Sequence, residues 1–311
     1  MKAKSKQGLP REVSVRVPAS TSNCGAGFDT LGLALRLYNT VVVRRCAAGK
    51  GVLHAPPARL GAAMAADAAR IFFARSGVAP FDFQFAISGD VPVSRGLGSS
   101  VTLGAGIVAG LNELSGARLA KLALAAILTK FEGHPDNATA GVLGGFCVGR
   151  TDPQTGELLG VVRQPIGREV SFVVVSPAQE LETKQARGIL PRKLPYFDAV
   201  RSVNSSSYVV AAFLTGEFDR LAHAVADFMH EPYRLPNIPG AGEAIKAGVQ
   251  AGAYTGWLSG SGSSVLCVAT PAKAAAVGRA MAEAFFAVGV ASQIFPLRAD
   301  NTGLKIISRK P

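Results

Sequence analysis

Residues 92–102 read Pro92-Val93-Ser94-Arg95-Gly96-Leu97-Gly98-Ser99-Ser100-Val101-Thr102 and run into a segment with Val101, Ile107, Val108, Leu111 and Leu114 near helical spacing. Gly96 and Gly98 carry no Cβ, so backbone N–H groups there can converge on an anion. The helix that follows presents its free N–H donors and positive dipole end to the same point. Ser99 and Ser100 are expected to cap that end, and a hydroxyl can also meet a phosphate oxygen or a hydrated cation. Arg95 adds a full charge at the rim. The segment is neither a Walker A loop nor a G-x-G-x-x-G fingerprint, and a Gly-Ser turn before a helix is also an ordinary cap. Gly104, Gly106 and Gly110 lie inside the helix at up to ~1 kcal/mol each relative to Ala, which predicts close backbone packing against a neighbour.

Working outward, Glu12–Val17 alternates with Val13, Val15 and Val17 on one side and reads as a strand. Thr40–Arg45 and Asp82–Ser88 read as further strands, and the Ala-rich stretch Gly61–Ser76 as a helix. Ala117–Phe131 reads as a second apolar helix. The run Val170–Ser176 has the composition of a buried strand. Helices are expected near Phe197–Thr215, Asp219–His230, Gly240–Gly252 and Ala272–Val288, and strands at Ser264–Ala269 and Ser292–Leu297. Strands and helices mix without regular βαβ alternation, so the fold class is α+β. The hydrophilic stretch Arg150–Arg168 is the best boundary, dividing the chain into 1–165 and 166–311.

Composition narrows the function. The chain has 311 residues, enough for about two domains. Apolar residues make up 48% and charged residues 17%, which excludes general disorder. No apolar run approaches the ~18 residues of a membrane span. The basic N-terminus lacks the apolar core of a signal peptide. Cys24, Cys46, Cys147 and Cys267 are far apart with no CxxC pair, against a disulfide framework or zinc site and for a reduced, cytoplasmic setting. Lys+Arg 33 against Asp+Glu 21 gives +12, which attracts anions. Basic runs interleaved with aromatics are missing, so a small phosphorylated or carboxylated ligand fits better than nucleic acid.

Further polar segments punctuate the chain. Ala19–Asp29 (ASTSNCGAGFD) follows the first strand, and Leu258–Ser264 (LSGSGSS) precedes an apolar one. Either is a turn by itself; with the 92–102 loop they could converge on one polyanionic ligand. Glu132-Gly133-His134-Pro135-Asp136-Asn137 closes a helix, placing Glu132 at the wrong end of the dipole for an unpaired anion. A Lys or Arg would relieve that cost, and so would a divalent metal on nucleotide phosphates. Glu182–Arg187 and His230–Arg234 add arginines, which grip carboxylates bidentately or simply lie in solvent.

Together, in this order, these segments resemble the GHMP kinase superfamily, and within it the homoserine kinases. VPASTSNCGAGFDTLGLAL at 17–35, PVSRGLGSSVTLGAG at 92–106 and LSGSGSSVLCV at 258–268 carry the superfamily resemblance. N-x-G-x-G-F-D-T-L-G at 23–32, EGHPDNATAGVLGG at 132–145, ETKQARGILP at 182–191 and HEPYR at 230–234 carry the narrower one. The resemblance implies a two-domain GHMP kinase fold, with a ribosomal protein S5 domain 2-like N-terminal domain and a ferredoxin-like C-terminal domain. It implies ATP- and Mg2+-dependent phosphorylation of the side-chain hydroxyl of L-homoserine, a step toward threonine. By motif, the backbone of Pro92–Thr102 wraps the ATP phosphates. Ser100 and Glu132 hold Mg2+. Asn23, Asp29, Asn137 and Thr183 position homoserine, with Asp29 at its ammonium and Arg187 and Arg234 at its carboxylate. Family members often form homodimers. Ala26 and Ser263 stand where proline is common, and Val101-Thr102 where two small residues are common; each suits a tight loop. Many relatives place an Asp base near the position of Asn137. An amide cannot take a proton, so no dedicated carboxylate base is expected, and positioning and electrostatics would carry the transfer.

Overall fold

The computed structural model describes residues 9–47, 49, 52–54, 61–181 and 183–311. β1 (Glu12–Ser22) and β2 (Leu31–Arg45) pair antiparallel along their length, placing Val13 opposite Val43 and Val15 opposite Val41. They form the spine of a seven-stranded sheet ordered β11–β1–β2–β4–β3, with β4 (Phe83–Gly89), β3 (Val52–His54) and β11 (Lys305–Lys310). The register slips at Pro18/Ala19, so that Tyr38 faces Pro18 and Leu35 faces Ala19. Proline has no N–H to give to a ladder and belongs at such a bulge. Beyond the slip, the first residues of β2 pair with β5 (Phe146–Thr151), which pairs with β6 (Leu158–Gln164).

One face of this sheet is covered by α1 (Ala62–Ser76), α2 (Ser99–Ser115), α3 (Lys121–Glu132) and α4 (Asp136–Leu143). The glycines of α2 do what their cost predicted. A Cβ on Gly106 would lie 2.4 Å from the Val41 Cβ, and one on Gly110 would lie 2.5 Å from a Val43 methyl. The helix lies directly on β2, and any side chain there would push it away.

The second sheet is ordered β10–β7–β9–β8, with β7 (Ser171–Pro177), β8 (Thr255–Leu258), β9 (Val265–Ala269) and β10 (Ser292–Leu297), every pair antiparallel. Helices including α6 (Tyr196–Thr215) and α8 (Ala241–Gln250) join β7 to β8, and α9 (Ala274–Ala287) joins β9 to β10. This is the ferredoxin-like order. All seven residues of β7 are buried because both faces are covered. Val173 and Val175 pack in a cluster with Val277, Met281 and Phe285 of α9. Phe172 and Val174 share another with Leu31, Leu33 and Leu35 of β2 and Phe213 of α6, and this cluster welds the two sheets.

Several elements differ from expectation. Leu31–Asn39 is strand, part of a longer β2; its Gly and mixed polar residues obscured the alternation. The hydrophilic Arg150–Arg168 stretch includes the end of β5 and all of β6, an edge strand with exposed Leu159 and Val162. A helix over Asp219–His230 is replaced by a 3-10 turn, Phe218–His223, and a bend; Asp227 draws its carboxylate back onto three backbone N–H groups and stops further winding. The short elements α4, β8 and β11 were not separated from their surroundings by periodicity. β11 closes the first sheet from the far end of the chain, pairing Lys310 with Glu12 and Arg309 with Val13.

Candidate active site

The three glycine-rich segments meet. Ser20 N–H donates to Leu97 O (3.2 Å), Ser264 N–H to Arg95 O (3.3 Å), and Ser259 Oγ to Gly96 O (2.7 Å). Gly96 and Gly98 have φ of +70° and +68°. A Cβ on Gly96 would lie 1.9 Å from Ser259 O, and one on Gly98 would lie 2.3 Å from Ser20 Oγ. A side chain at Gly96 is shut out by a backbone oxygen, and one at Gly98 would have to push the Ser20 hydroxyl off Asn137. Leu97, Val101 and Thr102 are fully buried, so their side chains belong to the core and the loop offers its backbone outward. Pro92 and Ser94 are half-buried and Val93 is exposed.

The cap of α2 is Gly98, without a side-chain hydrogen bond. Ser99 and Ser100 are its first helical residues and do not cap it, because the left-handed turn at Gly98 gives the cap position to a glycine. The first intrahelical bond is Thr102 N–H to Gly98 O (2.9 Å), so the N–H groups of Ser99, Ser100 and Val101 lie ahead of it. Arg95 does not stand free at the rim. It turns to Ala178 O (3.0 Å) and to Glu180 (3.8 Å), and its Nε is buried without a partner.

Ser100 Oγ donates to Glu132 Oε2 at 3.2 Å. Burial raises the Glu132 carboxyl above the usual carboxylate range, against the pull of His134, Ser100 and Arg187. A hydroxyl and a carboxylate held together at the positive end of a helix make a hard-oxygen donor set of the kind Mg2+ takes alongside phosphates. With the side-chain-free cradle beside it, this set fits a magnesium nucleotide.

Next to it, His134 Nδ1–H donates to Asp136 Oδ1 at 2.5 Å, both groups buried. Burial alone would lower the His134 pKa, but Asp136, Asp29 and Glu132 outweigh it and push it up to about 9. Asn137 is pinned: its Oδ1 accepts from Ser20 Oγ (2.8 Å) and its Nδ2 donates to Ser22 Oγ (3.0 Å).

The loop after β1 is built on left-handed residues, Asn23 (φ +67°), Cys24 (+46°) and Asp29 (+52°). Asn23 ties it down, accepting from Asp29 N–H (3.1 Å) and donating to Gly260 O (3.1 Å). Asp29 forms a bidentate pair with Arg187 of α5 (Thr183–Gly188), at 2.7 and 2.9 Å. The side chain of Thr183 lies outside the described residues. Arg234, in α7 (Glu231–Arg234), is 3% exposed and donates to Ala186 O (3.1 Å) and Gly260 O (3.2 Å). Burial and the neighbouring Arg187 lower its pKa to about 10, so it stays charged at neutral pH. No carboxylate among the described residues pairs with it.

Sequence reasoning assigned nothing to Ser20, Ser22, Phe28 or His230. Ser20 and Ser22 lie two apart on β1 and so share a face, which was the available signal. Phe28 is the centre of a cluster: the guanidinium carbons of Arg187 and Arg234 lie 5.5 and 5.3 Å from its ring centroid, and the His230 ring stacks on it at 5.2 Å and 28°. His230 is fully buried, and its Nε2–H donates to Gly25 O (2.8 Å).

Known proteins match the chain at this point. Family models described as the GHMP kinases N terminal domain and GHMP kinases C terminal match residues 63–145 and 209–287. A homoserine kinase of Moorella thermoacetica is 36% identical over 299 residues, covering 94% of this chain and 99% of its own. One from Synechococcus sp. strain CC9902 is 36% identical over 310 residues, covering 95% and 96%. The crystal structure of homoserine kinase from Cytophaga hutchinsonii superposes with a TM-score of 0.87 at 27% identity, covering 98% of this chain and all of that one.

Proposed function

Because this chain belongs to the GHMP kinases and, within them, to the homoserine kinases, we propose a role for each residue of the site described above. The enzyme uses ATP and Mg2+ to phosphorylate the side-chain hydroxyl of L-homoserine, giving O-phospho-L-homoserine on the way to threonine. The hydroxyl oxygen bonds to the terminal phosphorus, the bond from that phosphorus to the bridging oxygen breaks, ADP leaves, and the hydroxyl proton is released.

The backbone of residues 92–102 binds the phosphates. What supports this most is the pair of positions, Gly96 and Gly98, where a Cβ would strike Ser259 O and Ser20 Oγ. Ser100 and Glu132 hold Mg2+, which when bound neutralises phosphate charge. Asn137, gripped by Ser20 and Ser22, holds the cradle at Gly98 and positions substrate. Asn23 and Thr183 complete the substrate side. Arg234 takes the homoserine carboxylate with a guanidinium that has no acidic partner. Arg187 and Asp29 neutralise each other until substrate enters, when its carboxylate and ammonium take one partner each. Arg187 also attracts the Glu132 carboxylate, working against the burial that raises its pKa, so the amino-acid and metal sides share one electrostatic field.

Of the described site residues, neither Asn137 nor His134 is suited to pull the proton off the hydroxyl. Asn137 is an amide, and His134 already carries a proton held by Asp136. Orientation and charge compensation carry the rate, as expected for a loose phosphoryl-transfer transition state.

The division at 165/166 belongs to the same reading: residues 1–165 carry the phosphate loop, and 166–311 carry the ferredoxin-like sheet and return β11 to the first. A homodimer is supported by the apolar residues that α6 leaves in solvent, Tyr196, Phe197, Val200 and Val203. A cytoplasmic setting is supported by four free cysteines. No helix among the described residues is long and apolar enough to cross a membrane. An ADP-release assay offering L-homoserine, mevalonate, galactose and shikimate in parallel tests the substrate. Turnover of homoserine alone is expected, and preference for another alcohol would overturn it.

A further inference from the structure

Two guanidinium groups side by side repel each other, yet Arg187 and Arg234 both lie against one ring. Arg187 is among the groups that lower the pKa of Arg234, so the repulsion is felt. Asp29 offsets Arg187. Against Arg234, the described contacts are two carbonyl oxygens and the Phe28 ring, with Asp29, Asp227 and Asp136 attracting it from farther off. An aromatic face carries partial negative charge and attracts guanidinium groups within about 6 Å of its centroid; both arginines meet that distance.

The ring is itself fixed. Phe28 sits between Gly27 and Asp29 at the end of the left-handed loop, where Gly27 N–H bonds back to Asn23 O (2.8 Å). His230 stacks on it and donates to Gly25 O three residues earlier, so one buried imidazole holds both the loop and the ring. His230 is in turn placed by Asp227, whose carboxylate accepts from the N–H groups of Met229, His230 and Glu231 (3.0, 2.7 and 2.6 Å). The same turn starts α7, which carries Arg234.

We propose that Phe28 is a positioning residue for the amino-acid substrate: its ring, stacked on His230, holds the guanidinium groups of Arg187 and Arg234 together so that they can receive one α-carboxylate. This rests on the assignment of Arg234 to the homoserine carboxylate. It adds a device that selects substrates bearing that carboxylate and has no part in nucleotide binding.

The test replaces Phe28 by Leu, by Tyr, and by phenylalanine analogues with one, two and three ring fluorines, which drain the ring of negative charge at nearly constant shape. Phe28→Leu is expected to raise KM for homoserine about tenfold, with KM for ATP unchanged. Phe28→Tyr should restore the wild-type value, and log KM for homoserine should climb stepwise with fluorine number. A flat fluorine series, or an equal rise in KM for ATP, would overturn the proposal by reducing the ring to packing. If Phe28→Leu fails to fold, the fluorinated series alone decides. Arg234→Leu is measured alongside. If it leaves KM for homoserine untouched, the carboxylate assignment falls and the proposal with it; if it raises that KM while the fluorine series stays flat, only the role of Phe28 falls.

Discussion

Replacing Gly96 by Ala tests the phosphate cradle at its tightest point. The new Cβ would start 1.9 Å from Ser259 O, where real Cβ contacts are not found below 3.0 Å, so loop or carbonyl must move by more than an ångström. The carbonyl cannot easily give way, because it accepts from Gly262 N–H at 2.9 Å. The φ of +70° adds the left-handed penalty of about 1–2 kcal/mol for a residue with a side chain. Together these should cost roughly 2–5 kcal/mol of stability. A displacement of this size in a positioning element lowers rate on the order of 10²-fold, and here it should fall on kcat/KM for ATP. Gly77→Ala is the control: its φ is +68°, but nothing lies within 4 Å of the new Cβ. It should lose about 1–2 kcal/mol of stability and keep wild-type ATP kinetics. Steady-state kinetics with varied ATP, read beside thermal unfolding midpoints, decide the matter. Gly96→Ala enzyme that is folded and has unaltered ATP kinetics would refute the placement of the phosphates on this loop.

Ser100→Ala and Glu132→Gln should each demand more Mg2+ for half-maximal activity; a Mg2+ titration that overlays wild type in both would remove them from the metal site. His134→Gln should lower kcat only modestly, and a drop of the ~10²–10⁴-fold typical of a general base would mean that a base is used after all. The last concerns acid. Burial lowers the pKa of His230 below its ordinary value of 6.5, against the pull of Asp227. The unfolded chain therefore takes up this proton more readily than the folded one, so the contribution is complete above about pH 6.5 and is lost as pH falls toward the depressed folded value. Urea unfolding between pH 7 and 5 should show wild type losing stability relative to His230→Gln as the pH falls; parallel profiles would show that His230 carries none of the pH dependence.

Much of this enzyme was legible before any coordinates. The cost of three glycines in one helix predicted that the backbone of α2 packs closely against a neighbour, and Phe131, Val41 and Val43 occupy the space that side chains at Gly104, Gly106 and Gly110 would need. The order of its motifs carried the family, because phosphates demand Cβ-free backbone at a helix start and carboxylates demand arginine, and these needs leave marks in local sequence. Strand pairing between distant segments leaves far weaker marks. β6 reads as a polar linker because an edge strand faces solvent, and β11 is six residues whose partner, β1, lies at the opposite end of the chain.

The sequence by itself determined the residue types and the local backbone each motif needs, since φ, capping and charge are set within a few positions. Only the tertiary structure decided who meets whom. Arg187 pairs with Asp29 across 158 positions, Ser20 with Asn137 across 117, and Gly96 abuts Ser259. Phe28 stands in a motif of the chain without a role of its own, because the attraction of a ring for two guanidinium groups depends on distance in space and has no periodicity to betray it.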